Sequence, residues 1–310
     1  MESFLVAVAR RAADGTALAT LPCCVVVTIG ASYRDPTAEA RARALVETLN
    51  AYGSGNGSVR ACWASRYQPT TSKPATLTKL MAVHEAQAAV VLDANGWHMK
   101  TSDGTEFKLH GGLGVLRVRS VMSGANDTLA SICALRAGDT FVDGTAGQCQ
   151  DALVAAAAVG PTGRVIALEA SPLLWSVTAG RPVCTSDDEI DRLLNERIEV
   201  RLGEAITLLA QMADGSADVV YFDPMFAMPA KASASFEILR SFAHHVPLSL
   251  DTIMQARRVA RRCVVVMDQP GGSELERLGM RVVSQGQRKR FGVLEPLSSQ
   301  PHGGHGADAC

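Results

Sequence analysis

Short apolar runs and amphipathic stretches alternate along most of the chain, with glycine, proline or an acid at many of the junctions. The first run, 24–29 (Cys-Val-Val-Val-Thr-Ile), is almost wholly apolar and closes on Gly30, the pattern of a buried strand. Asp35-Pro36-Thr37 then opens a helix carrying Ala40, Ala44, Leu45 and Leu49. Asp35 or Thr37 caps it, and the proline in its first turn already has a helical φ. The glycine-rich stretch 52–58 predicts a loop, 59–67 a strand, and 76–85 a short helix with Leu77, Leu80, Met81 and His84 at helical spacing. A further strand at 88–92 meets Asn95-Gly96, a hairpin turn into 97–100. Together these make a small α/β domain over 21–105, after a flexible N-terminus over 1–20.

The segment 106–139 connects this domain to the next. Within it, 109–123 carries Arg117 and Arg119 on alternate positions beside His110 and Gly111, Gly112 and Gly114, and 127–136 has a helical pattern. From Thr140 the periodicity becomes regular. Strands are predicted at 140–142, 165–168, 198–202, 217–222 and 263–267, and helices at 152–159, around Trp175, at 205–212 and at 249–262. Two last strands, 280–284 and 291–294, form an antiparallel pair. Alternation of this kind specifies a mostly parallel sheet with helices on both faces, here over 140–296. The glycine- and histidine-rich tail, 297–310, is expected to be disordered.

Composition narrows the function classes. Of 310 residues 47% are hydrophobic and 20% charged, the balance of a globular chain with a large core. A net charge of -1 gives no global attraction for a polyanion, so any nucleic-acid contact needs local basic patches. Arg117 and Arg119, the helix-end cluster Arg257, Arg258, Arg261 and Arg262, and Arg288-Lys289-Arg290 are the candidates. The eight cysteines show no Cys-x-x-Cys spacing, which argues for buried thiols in a reducing compartment rather than zinc or disulfides. Adjacent His244-His245 point about 100° apart on a helix, so no metal site is expected. No apolar run reaches the ~18 residues of a membrane span. The cytoplasm is the expected location, although Arg10 and Arg11 in the first 20 residues have a faint transit-peptide character that Glu2 and Asp14 oppose.

Two strand ends carry the chemistry. Open parallel sheets bind ligands beyond the carboxyl ends of their strands. Asp143-Gly144-Thr145-Ala146-Gly147 sits at such an end and leads into a helix, where glycines let backbone N–H groups approach a ligand. Asp151, in that helix's first turn, is expected to fix the loop by accepting backbone hydrogen bonds. Glu169, followed by Ala170, ends the second strand, where a carboxylate can accept the two ribose hydroxyls of a nucleoside. Gly203 and Glu204 end the third, where an adenine edge would be read. The turn alone does not choose a cofactor. A dinucleotide needs a third glycine, and here Gln148-Cys149-Gln150 follow Gly147, which favours a methyl donor without a pyrophosphate.

At the fourth strand end the apolar run 219–222 breaks at Asp223-Pro224-Met225-Phe226. Proline turns the chain there, projecting Asp223 and the Pro224 carbonyl into the crevice. An amino group on a base is a poor nucleophile because its lone pair is delocalised into the ring. Acceptors at its two protons rehybridise the nitrogen and align it for in-line displacement. Phe226 is placed to stack on the target base.

The Asp-x-Thr-Ala-Gly turn with an aspartate four positions after its second glycine, followed by Tyr-Phe-Asp-Pro-Met-Phe at 221–226, resembles the bacterial small-subunit ribosomal RNA guanine-N2 methyltransferase family. It is more similar still to uncharacterised bacterial relatives of that family. The resemblance spans about 21–295 and is strongest in the two motifs. It implies a Rossmann-like, seven-stranded class I methyltransferase sheet with a small N-terminal α/β domain. It also implies an S-adenosylmethionine site at Asp143, Gly144, Thr145, Ala146, Gly147, Asp151, Glu169, Ala170, Gly203 and Glu204, reaching Asp223. Asp223, Pro224 and Phe226 would act on the target amine, with RNA as substrate and guanine N2 foremost. This chain departs from the ribosomal enzymes in having only Lys231 after the second motif, a glycine-rich interval between His110 and Arg117, and Asp268 in place of a lysine after the fifth strand. The alternatives are methylation of DNA or a small molecule, or adenosyl or RNA binding without catalysis.

Overall fold

A computed structural model describes residues 23–56, 59–67, 73–94, 96–102, 104, 106–108, 112–178, 191, 196–224, 247–286 and 289–297. Expectations for 1–20, His110, Lys231, His244-His245, Arg288 and the tail after Leu297 lie outside the described residues.

The chain first builds a five-stranded sheet. Its elements are β1 (Cys23–Ile29), α1 (Ala38–Asn56), β2 (Val59–Trp63), α2 (Leu77–Val83), β3 (Ala88–Asp93), β4 (Gly96–Thr101) and β5 (Glu106–Lys108). The order is β2-β1-β3-β4-β5, with β1 parallel to both neighbours and β3, β4 and β5 pairing antiparallel. Helix α1 buries Ala42, Leu45 and Leu49 on one face of the sheet, and α2 buries Leu80 and Met81 on the other. Thr76 caps α2, accepting from the Lys79 N–H at 3.2 Å. Of the stretch expected as a loop, 52–56 is instead the end of α1. A Cβ on Gly53 would lie 1.9 Å from the Val59 carbonyl oxygen, so this glycine serves close packing of helix on strand rather than a turn.

The second sheet follows two helices, α3 (Gly112–Met122) and α4 (Thr128–Ile132). Then come β6 (Thr140–Asp143), α5 (Gln150–Val159), β7 (Arg164–Glu169), α6 (Pro172–Thr178), β8 (Ile198–Leu202), α7 (Ala205–Ala210) and β9 (Ala217–Phe222). The chain continues through α8 (Leu250–Val259), β10 (Ala260–Asp268), α9 (Glu274–Arg277), β11 (Arg281–Gln285) and β12 (Arg290–Leu294). The order is β11-β12-β10-β9-β6-β7-β8. The five strands from β10 to β8 run parallel, and β12 and β11 close the edge antiparallel. Both faces are covered, which is why the central strands read as continuous apolar runs. On one face Phe141, Leu153, Val165 and Tyr221 pack with α3, α4 and α5; on the other Val142, Leu168, Phe222 and Ile253 pack with α7, α8 and α9. Strand order reverses between β6 and β9, which puts the ligand crevice at their carboxyl ends.

Two features differ from the sequence expectation. Helix α8 stops at Val259, and 260–262 already belong to β10. Arg261 pairs with Asp218 (2.8 Å), Arg262 with Asp139 (2.5 Å), and Arg258 donates to the Leu209 and Met212 carbonyls (2.8 Å each). These arginines therefore tie the amino-terminal ends of the strands together, at the end of the sheet away from the crevice. Arg117 is likewise internal, as described below. Helix α6 lies between the sheets, with Leu173, Leu174 and Val177 buried in the core of the first. Among the described residues no helix is long and apolar enough to cross a membrane, and no group of three or more His, Cys, Asp or Glu is placed to hold a metal ion.

Candidate active site

Strand β6 delivers Asp143 to the crevice floor, and the turn after it is held by bonds to the ends of the two neighbouring strands, β7 and β9. The Gly144 N–H donates to the Tyr221 carbonyl (2.8 Å) and the Ala146 N–H to the Leu168 carbonyl (2.9 Å). The Thr145 N–H donates to Asp143 Oδ1 (3.0 Å), and Thr145 Oγ1 accepts from the Asp223 N–H (2.7 Å). Gly147, at φ +51°, donates to Glu169 Oε2 (2.8 Å), while Glu169 Oε1 accepts from the Ser171 N–H (2.7 Å). Glu169 thus shapes the loop as well as facing the crevice, with acceptor capacity left beyond these backbone bonds.

The glycines act differently from expectation. A Cβ on Gly144 would sit 2.1 Å from Phe222 Cε1, so packing against that ring requires glycine there whether or not a ligand approaches. The Gly147 N–H is already engaged by Glu169. Asp151 also has another role: it accepts from Arg117 Nη1 (2.6 Å) and the Tyr221 hydroxyl (3.1 Å) rather than from the loop backbone. Arg117 forks onto Asp127 as well (2.8 and 2.9 Å), and Asp127 caps α4. Burial alone would lower the Arg117 pKa, but its bonds to Asp127 and Asp151 reverse this and keep it charged. The chain Asp127–Arg117–Asp151–Tyr221 fastens α3, α4 and α5 to β9. Arg117 is a support of the site, not part of an RNA track.

Carboxylates dominate the electrostatics. Burial raises the Asp143 carboxyl well above its ordinary range; Asp151, Asp223 and Glu169 add to this against the Thr145 N–H. Burial lifts Glu169 to about 7, opposed by the Ser171 and Gly147 N–H groups. Asp223 also rises to about 7, through burial and the Asp151 charge, opposed by Lys289 and Arg117. Lys289 Nζ stands 3.9 Å from Asp223 Oδ2.

A crevice open to solvent lies over these strand ends. Gly144, Thr145, Gly147, Asp223 and Pro224 of the two motifs line it, with Glu169, Ala170 and Glu204 from the next two strand ends. Asp143, Ala146, Asp151 and Gly203 stand behind the wall, and Phe226 lies outside the described residues. Leu168, Leu174, Ala205, Ile206, Pro247, Leu248, Ser249 and Thr252 also line it and were missed. Of these, Ala205 and Ile206 were open to notice as apolar neighbours of Glu204. Ser249 had a cap signature, and it does accept the Thr252 N–H at 3.0 Å. Leu174 had no local signal.

A family model described as "Putative SAM-dependent methyltransferase" matches residues 78–296. The chain belongs to this family. It is a class I S-adenosylmethionine-dependent methyltransferase, with that compound as its cofactor. The methyltransferase is 32% identical to the uncharacterized protein YpiP of Bacillus subtilis over 63% of this chain and 77% of that one. It is 30% identical to ribosomal RNA small subunit methyltransferase J of Shewanella denitrificans over 56% of this chain and 71% of that one. Its fold is similar to that of the SAM-dependent methyltransferase NGO1261 of Neisseria gonorrhoeae, at TM-score 0.56 and 20% identity, covering 91% of this chain and all of that one.

The residues present fit such a cofactor. A sulfonium and an ammonium are cations, and the crevice concentrates carboxylates that raise one another's pKa values, so positive charge relieves their repulsion. Glu169 offers its remaining acceptor capacity to hydroxyls, and Leu174, Ala205 and Ile206 offer an apolar wall to a flat ring.

Proposed function

We propose that the methyltransferase acts on an exocyclic amine of an RNA base, guanine N2 foremost. The observation that carries this is the placement of Asp223-Pro224 on the same crevice wall as the Gly144–Gly147 turn, pinned by the Asp223 N–H on Thr145 Oγ1. Glu169 holds the ribose hydroxyls, and Glu204 with Ala205 and Ile206 receives the adenine. S-adenosylmethionine supplies the electrophilic methyl group. Asp223 accepts one amine N–H and the Pro224 carbonyl the other, which localises the nitrogen lone pair for attack. As the N–C bond forms, the nitrogen must shed a proton, and Asp223, with its pKa raised to about 7, is the base that takes it. The likeness to ribosomal RNA small subunit methyltransferase J of Shewanella denitrificans supports RNA as the acceptor.

The test is transfer of tritiated methyl to RNA, DNA and small-molecule fractions, with Asp223→Ala beside the wild type. The variant is expected to bind S-adenosylhomocysteine normally while incorporation into RNA falls roughly 10³-fold. Undiminished turnover would overturn the mechanism. Label appearing in DNA or small molecules instead of RNA would overturn the substrate.

A further inference from the structure

The five-stranded sheet has a crevice position of its own. Helices α1 and α2 pack on opposite faces, and β2 and β3 flank β1 on opposite sides, so the carboxyl ends of β1 and β3 form a second topological switch point. In sequence, 31–80 carries seven Lys and Arg against three Asp and Glu, in a chain whose overall charge is -1.

At this end Tyr67 is 44% exposed, an unusual position for a large ring. Its hydroxyl donates to the Ala31 carbonyl (2.6 Å), which holds the ring in place. The Arg34 guanidinium lies 5.8 Å from the ring centroid, anchored by Nη1 on the Ala31 and Tyr33 carbonyls (2.9 and 3.1 Å). Arg66 is held through Nε on the Ala75 carbonyl (2.8 Å). No carboxylate among the described residues pairs with Arg34 or Arg66. The nearby acids are engaged elsewhere: Asp35 accepts from Thr37 and Tyr33, and Asp93 faces His98 at 3.4 Å.

We propose that this surface docks single-stranded RNA, a base stacking on Tyr67 while Arg34 and Arg66 take the flanking phosphates. Every base has a π-face, and a fixed ring with the Arg34 guanidinium against it and Arg66 next in the chain suits a single strand without needing net positive charge on the whole chain. Because the ring and Arg34 are already anchored, little side-chain freedom is lost on binding. Leu174 of α6 lines the methyl-transfer crevice and is buried in the core of this sheet, so shared packing joins the two surfaces. The inference rests on the RNA reading above and supplies the grip that the acidic crevice lacks.

Binding is read by fluorescence anisotropy with a labelled single-stranded RNA of about 12 nucleotides, separately from methyl incorporation. Tyr67→Ala is expected to raise the Kd about tenfold, and Tyr67→Phe, which keeps the ring, to bind much as the wild type does. Arg34→Ala with Arg66→Ala should lower the salt slope of log Kd by about one to two. S-adenosylhomocysteine binding and kcat at saturating RNA should stay unchanged in all of them, which also certifies folding. Wild-type affinity in Tyr67→Ala, or no RNA binding by the wild type, would overturn the inference. RNA binding that depends on Tyr67 but yields no methylated product would instead sink the proposed function and leave this surface standing.

Discussion

In the five-stranded sheet Gly30 follows β1, and a Cβ there would lie 2.9 Å from Asp93 Cβ on β3. In the seven-stranded sheet Gly144 follows β6, and a Cβ there would lie 2.1 Å from Phe222 Cε1 on β9. Each glycine follows a central parallel strand at a switch point, pressed on a neighbouring strand's side chain. The side chains around them differ in sign. Asp143, Glu169 and Asp223 gather at the second end, whereas at the first Arg34 lies over the exposed Tyr67 ring and Arg66 precedes that ring in the chain. Backbone topology makes a crevice in both places, and only the side chains decide whether it attracts cations or anions.

The largest expected difference is steric. Phe222 is fully buried in the core, so Gly144→Ala has nowhere to displace the ring and should cost on the order of 3 kcal/mol. Gly30 is only half-buried and meets the stem of Asp93 near the surface, so Gly30→Ala should cost about 1 kcal/mol. Urea unfolding of both variants measures this. Equal losses would show that the two turns are under the same constraint.

Charge is the next distinction. Glu169 and Asp223 both titrate near 7 in the ligand-free protein, above the ordinary carboxylate value near 4. A raised carboxyl pKa stabilises the fold at low pH, and that contribution is lost as pH climbs from about 4 through about 7. A cationic ligand favours the ionised forms, so S-adenosylmethionine should bind with proton release and tighten from about pH 6 to about pH 8. S-adenosylhomocysteine, which lacks the sulfonium charge, should show a shallower dependence. Glu169→Gln should weaken S-adenosylmethionine about tenfold and flatten its pH profile, since the amide nitrogen also cannot accept a loop N–H. Calorimetry across pH checks all three, and identical slopes for the two ligands would remove the electrostatic account. RNA docking at the Tyr67 surface should not share this profile.

The two ends also differed in how far they could be read from sequence. Strands 198–202 and 217–222 have the predicted bounds: the first alternates apolar and polar positions at the sheet edge and ends at Gly203, and the second is apolar but for Asp218 and ends at Asp223. Five crevice residues come from the two motifs, and Glu169, Ala170 and Glu204 from the ends of the second and third strands, positions that the pattern marks. Roles set by distant partners were not legible. Asp151 reads as a loop anchor until Arg117, 34 positions away, is seen to hold it. Gly53 reads as loop because glycine is common in loops, and only the close approach of Val59 explains it inside a helix. The arginines at 257–262 continue a helical pattern, yet pairing of Ala260 with Ala217 starts the strand early. Tyr67 fell at the end of an expected strand and gave no hint of a platform.

The smallest expected effect concerns Lys289, whose ammonium faces Asp223. Pairing of β12 with β10 sets Arg290 opposite Asp268, where Asp268, Glu276 and the Gly272 carbonyl all hold its guanidinium. That fixed neighbour leaves Lys289 at the turn, with its Nζ 3.9 Å from Asp223 Oδ2 but half-exposed. Solvent screens such a pair, so its influence is modest. Its sign is still definite, because a cation favours the carboxylate form that must accept the amine proton. Lys289→Met should therefore move the acidic limb of the kcat–pH profile upward by a few tenths of a pH unit, and Lys289→Arg should restore it. A limb that stays in place would mean the lysine does not influence the acceptor site in solution. A large loss of RNA affinity at constant pH would mean that Lys289 meets phosphate, extending the basic character of the first crevice to the rim of the second.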